Sequence, residues 1–143
     1  VYASVVVPDF TREPLSLSGV AVDRQFSGAT MPDALATLVP VHMTTQRAFA
    51  PSDHVTAFAR VYQGRAKTAA PARVTARIVD ARDQIAWATD TTLGPSAFDA
   101  QRQADFHLEL PLDRLADGDY LLTIEATAAA ASTRREVRFS VRR

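Results

Sequence analysis

The chain has 143 residues, 47% hydrophobic and 22% charged, which is enough for one folded domain with a substantial buried core. Sixteen basic and sixteen acidic residues cancel, so no strong net field steers it toward nucleic acid or an anionic membrane. With no cysteine, disulfide frameworks, thiolate zinc sites and cysteine nucleophiles are excluded.

The basic residues are almost all arginine, with Lys67 the only lysine, a habit expected of a GC-rich, alanine-rich genome. The longest apolar runs fall well short of the roughly 20 residues a membrane helix needs. The chain starts at Val1 inside a strand-like pattern, without initiator methionine or signal peptide. It reads as a domain cut from a larger protein, with any export signal upstream.

Period-two alternation dominates from the start. "VYASVVV" is a β-branched first strand that stops at Pro8. In "PLSLSGVAV", Leu15 and Leu17 are followed by Val20 and Val22, so Gly19 shifts the alternation by one, as a bulge does. Asp23 to Pro40 carries Gly28, Pro32 and Pro40 and reads as a long crossing loop. Within it "MPDALATL" has one short helical turn starting near Pro32, where a missing N–H costs nothing. "TTQRAFAPSDHVTAFARVYQG" is a short strand, a Pro-Ser-Asp turn and a longer strand. Val55, Ala57, Ala59 and Val61 face inward there, with Phe58 and Tyr62 on the other face, so both faces are expected to be partly covered.

After the "GRAKTAAPA" connection, "RVTARIVDARDQIAWATDT" is a hairpin. Val74, Ala76 and Ile78 share one face, the turn falls near Ala81-Arg82-Asp83, and Ile85 and Trp87 follow. "GPSAFDAQRQ" is loop. "ADFHLELPL" sets Phe106, Leu108 and Leu110 against His107 and Glu109, and Pro111 closes the strand because it cannot donate to a ladder. Tyr120, Leu122, Ile124 and Ala126, then Val137, Phe139 and Val141, form the inner face of a last hairpin across "AAAAS". About eight short strands with turns every 8–12 residues are the spacing of an all-β sandwich.

Candidate chemistry is sparse. Asp117-Gly118-Asp119 lacks the further oxygen ligands of a calcium loop, since Tyr120, Leu121 and Leu122 follow at once. It reads as a turn in which Gly118 takes a positive φ or allows a tight approach. Leu115-x-x-Gly118-x-Tyr120 also resembles the tyrosine corner of immunoglobulin-like sandwiches, whose hydroxyl bonds back to upstream backbone. His42, His54 and His107 are isolated, and no Gly-x-Ser-x-Gly elbow or glycine-rich phosphate loop exists. Ser16 and Ser18 lack the leading aspartate of an Asp-x-Ser-x-Ser adhesion motif.

Asp80, Asp83, Arg77 and Arg82 read as solvated turn charges. Arg134, Arg135, Arg138, Arg142 and Arg143 form a basic stripe that Glu125 and Glu136 partly neutralise through cross-strand pairs. Nucleic-acid binding would want aromatics among those arginines, and only Phe139 is there, on the inner face. Trp87 and Tyr62 are the candidate sugar-stacking aromatics, with Trp87 placed in or beside the core. Tyr2 reads equally as interface with a preceding domain.

Three segments, "VVVPDFTREPLSLSGVAV" (Val5 to Val22), "TTQRAFAPSDHVTAFARVYQG" (Thr44 to Gly64) and "LPLDRLADGDYLLTIEATAAAASTRREVRFSV" (Leu110 to Val141), carry a family likeness. They resemble the region that follows the von Willebrand factor A-type domain in a large group of acidobacterial proteins. The resemblance implies an exported protein whose metal-dependent adhesion motif lies in an upstream domain, so it transfers no functional residue to this chain.

The expectation is therefore one all-β domain over residues 1–143, an immunoglobulin-like or fibronectin III-like antiparallel sandwich of about seven to nine strands. Its expected core is Val5, Val7, Leu17, Val20, Val55, Val61, Val74, Ile78, Trp87, Phe106, Leu108, Leu110, Tyr120, Leu122, Ile124, Val137, Phe139 and Val141. No catalytic, cofactor-binding or metal-binding residue is assigned. The expected role is a non-catalytic accessory or protein-interaction module of an extracytoplasmic protein, acting through exposed edge strands. A carbohydrate-binding module is the alternative. The expected partner is a protein or a neighbouring domain of the same chain, with neither nucleic acid nor membrane insertion.

Overall fold

The structure is a computed structural model that describes residues 9–24, 43–64 and 67–143. The first expected strand with Tyr2, Val5 and Val7, the helical turn near Pro32, and His42 lie outside the described residues.

Two β-sheets pack face to face. The strands are β1 (Ser16–Leu17), β2 (Ala21–Arg24), β3 (Ala48–Phe49), β4 (Val55–Tyr62), β5 (Ala72–Asp80), β6 (Ile85–Leu93), β7 (Gln103–Glu109), β8 (Gly118–Ala128) and β9 (Ala131–Val141). In the four-stranded sheet, β4 is flanked by β1 and β2 on one side and by β7 on the other. The five-stranded sheet runs β3-β9-β8-β5-β6. Every pairing is antiparallel except β3–β9, where two residues of β3 run parallel to the end of β9. The fold is an all-β sandwich, as the alternation implies.

Alternation puts one face of each central strand between the sheets. Val55, Ala57, Ala59 and Val61 of β4 are fully buried, as are Val74, Ala76 and Ile78 of β5 and Leu122, Ile124 and Ala126 of β8. All ten belong to one cluster with Leu17, Phe106, Leu108, Leu110, Tyr120, Phe139 and Val141. Val20, Trp87 and Val137, expected in the core, are half-buried against its margin. Burying each large side chain contributes roughly 1.5–3 kcal/mol. β4 is covered on both faces: Phe58 is also buried, beside the His107 ring at 5.1 Å, and Tyr62 stacks on Phe10 at 4.4 Å.

The bulge inferred at Gly19 is present. Leu17 opposes Val61 whereas Ala21 opposes Phe58, so one extra residue lies between β1 and β2. The Ser18 hydroxyl accepts the Arg60 N–H at 2.9 Å, replacing a ladder bond that the bulge removes. The shift keeps Leu17 and Val22, of opposite parity, on the same inner face.

The tyrosine corner is also present, with the Tyr120 hydroxyl donating to the Ala116 carbonyl at 2.8 Å. Gly118 does not take the expected positive φ, and a Cβ there would meet the Tyr120 ring at an ordinary 3.7 Å. The corner is closed by the tyrosine hydrogen bond and by a 3-10 turn at Leu112–Arg114, so left-handed backbone is not needed at Gly118. It falls instead on Asp83 (φ 59°) and Ala129 (φ 51°), in the β5–β6 and β8–β9 turns, and on Arg102 (φ 59°). The glycine that sterics do require is Gly64, where a Cβ would approach the Thr11 Cα to 2.7 Å.

Three polar devices fix the connections between strands. Gln63, 2% exposed, donates to the Ala70 carbonyl at 2.7 Å and accepts the Ala70 N–H at 2.8 Å, binding the β4–β5 crossing to the end of β4. Arg24 of β2 holds Asp53 at 2.8 Å, and Asp53 in turn accepts the Ala50 N–H, fixing the Pro51-Ser52-Asp53 turn. Asp80 closes the β5–β6 turn by accepting the N–H groups of Arg82 and Gln84.

The inner-face assignment has a direct test. Ile124→Asp should abolish cooperative folding, because an unpaired carboxylate in the core costs several kcal/mol. Glu125→Ala, on the outer face, should leave the thermal midpoint nearly unchanged; the opposite ranking would reverse the assignment of faces. A second test uses Asp80, whose carboxyl lies below its ordinary value because the Gln84 N–H, and next the Arg82 N–H, favour the charged form. A lowered folded-state value means that stabilisation is complete above the ordinary carboxylate range and is lost as pH falls through the folded value. The midpoint difference between wild type and Asp80→Ala should therefore shrink between about pH 6 and about pH 2.

Candidate functional site

Asp117 and Asp119 are held by the C-terminal arginines. Asp119 accepts from the Arg142 guanidinium, while Asp117 accepts the Arg143 backbone N–H at 3.2 Å and lies 3.5 Å from its guanidinium. The Asp-Gly-Asp corner thus closes the end of β8 against the end of β9. His54 lies 3.2 Å from Glu109 on the surface, and His107 rests against Phe58. Among the described residues, no group of three or more histidine, aspartate or glutamate side chains is placed to hold a metal.

The arginine stripe is only partly compensated, and not as expected. Glu125 stands opposite Arg134 in register, yet its carboxylate accepts the Ser132 hydroxyl at 2.9 Å. Glu136 is 3.7 Å from Arg134 along the same strand. Arg135 opposes the buried Ile124, so it belongs to the inner phase of β9, while Arg134 and Arg138 lie on the outer face.

An open groove of about 850 Å³ crosses that outer face at the β5–β6 turn end. It is lined by Val79, Leu121, Arg138 and Ser140 together with Arg47, Asp80, Asp83 and Asp119. Several of these charges already have partners. Arg47 donates to the Thr44 and Gln46 carbonyls, Asp119 accepts from Arg142, and Asp80 accepts from its own turn. No histidine lines the groove.

Edge strand β6 is the most distinctive surface. Among the described residues it pairs only with β5. Ile85 does not point inward with Trp87, as the shared parity suggests. Ile78 opposes Trp87 but Val79 opposes Ile85, so a bulge at Ala86 turns Ile85 to the outer face, where it is 63% exposed. Trp87, opposite the buried Ile78, is half-buried against the core margin. The strand's one charge, Asp90, is tied to Arg73 at 2.9 Å and accepts the Thr75 hydroxyl at 2.6 Å. Arg73 first, then Thr75, hold the Asp90 carboxyl below its ordinary value.

The remaining long edges are different. β9 has β3 beside Ser140 and Val141 only, and the open remainder carries Arg134, Arg135, Glu136 and Arg138. β7 presents Asp105, His107 and Glu109. Charges of this kind discourage the addition of another strand. Ile85–Leu93 contains no lysine, arginine or proline. That contrast was readable in the sequence, but which strands are edges was not.

No family model matches the chain, and no curated protein matches it in sequence. Among solved structures it is similar to the C-terminal domain of wzt, with a TM-score of 0.54 and 11% identity over 92% of this chain and 75% of that one. At that identity the likeness speaks for the fold alone: both chains are built on the same two-layer β architecture.

Proposed function

We propose that this chain is a non-catalytic accessory module that binds protein through the β6 edge, within an extracytoplasmic protein of the kind it resembles. One observation carries the reading: a nine-residue edge strand, unguarded by lysine, arginine or proline, with Ile85 63% exposed at its start. Unpaired N–H and C=O groups along such an edge accept an added strand, whose main-chain hydrogen bonds supply affinity. The likeness of the three segments to regions downstream of von Willebrand factor A-type domains supports an exported setting. The balanced charge favours a protein partner over nucleic acid. No helix among the described residues is long and apolar enough to cross a membrane.

A photo-crosslinking residue at Ala88, on the edge, should capture a polypeptide in cells that make the protein. The same residue at Thr123, on the outer face of the interior strand β8, should capture far less. Equal capture at both positions, or none at Ala88, would remove the edge as the binding surface.

Sugar binding is the second reading, favoured by the incomplete burial of Trp87 on that same open edge. Tyr62 is a poorer platform, since Phe10 stacks on one face of its ring. A glycan array probed with wild type and with Trp87→Ala separates the two readings. The protein-binding reading expects no specific glycan signal, whereas a signal abolished by Trp87→Ala, with folding retained, would establish the sugar reading.

A further inference from the structure

We infer that the partner at the β6 edge is a second copy of this chain, its β6 antiparallel to the first about a twofold axis at Thr89. The inference rests on the reading of β6 as a binding edge and names its occupant. In a twofold contact, residue i meets residue j and j meets i, so the strand must be complementary to itself. Side-chain alternation restricts the axis to a residue, because an axis between residues would set inward side chains opposite outward ones.

The sequence of β6 then selects among the axes. An axis on Asp90 would set two carboxylates face to face. An axis on Ala88 would leave Thr91, Thr92 and Leu93 without strand partners, and one on Thr91 would leave every residue from Ile85 to Ala88 without them. With the axis on Thr89, only Leu93 is left without a strand partner. Trp87 then lies beside the second copy's Thr91. The exposed Ile85, which the Ala86 bulge puts in the register place next to Trp87, lies beside its Thr92. Asp90 faces Ala88, so no like charges meet. The zero net charge of the chain adds no long-range repulsion between copies. A contact of this length exchanges roughly six to eight main-chain hydrogen bonds, since alternate pairs share two each. The result is one continuous sheet through both copies, with the guarded β9 edges facing outward.

Light scattering coupled to gel filtration should show wild type as a dimer that dissociates on dilution. Ala88→Asp would face Asp90 of the other copy twice, by symmetry, and should weaken dimerisation about tenfold or more. Ala88 opposes Arg77 of β5 in its own chain, so the new aspartate has an intramolecular partner and the monomer should keep its thermal midpoint. Ala88→Lys would instead face Asp90 across the axis and should retain or tighten the dimer. A wild type that is monomeric at every concentration overturns the inference, whether the edge is covered by a segment of its own chain or by a foreign strand. A dimer indifferent to Ala88→Asp, or one broken equally by Ala88→Lys, overturns it as well. Crosslinking at Ala88 keeps the two failures apart: capture of a different polypeptide sinks self-pairing alone, while no capture sinks the edge reading with it.

Discussion

The structure depends on burying one face of β4 against one face of β5 and β8. Val55, Val61, Val74, Ile78, Leu122 and Ile124 lose all their solvent exposure there, and each is held by strict two-residue alternation. Because a slip of one residue would turn a whole strand's apolar set outward, that burial also sets the register of the sheets. The bulges are departures consistent with it. The one between β1 and β2 keeps Leu17 and Val22 inside despite their opposite parity, and the one at Ala86 lets Trp87 reach the core margin while Ile85 faces out.

Polar groups serve this frame at its ends. Gln63, Asp53, Asp80 and the Tyr120 hydroxyl each satisfy backbone groups where a strand gives way to a connection. Paired in this way, they stabilise turns and crossings. Among the described residues, the sheet edges differ in chemistry. β7 and β9 carry charges along their open sides, whereas β6 carries one aspartate already tied to β5.

Much of the architecture was legible in the chain. Alternating valines, leucines and isoleucines announced β4, β5, β7, β8 and β9 with the correct inner faces, and Leu115-x-x-Gly118-x-Tyr120 announced the tyrosine corner. Asp117-Gly118-Asp119, read from the sequence as a turn, instead opens β8: Gly118 and Asp119 already pair with Val141 and Ser140 of β9. The candidate surface was legible only in part: the composition of Ile85–Leu93 shows an unguarded strand, but not that it ends a sheet.

By itself, then, the sequence determined which residues alternate, where turns interrupt them and which faces are apolar, because these follow from local sterics and the two-residue period of a strand. Tertiary structure alone decided that β3 joins β9 in parallel, that Gln63 closes onto Ala70, that Ile85 turns outward and that β6, among the described residues, stands at an edge. Each of these depends on which distant segment comes to lie alongside, and pairing between remote strands is selected by the summed burial of the whole core, which no local window contains.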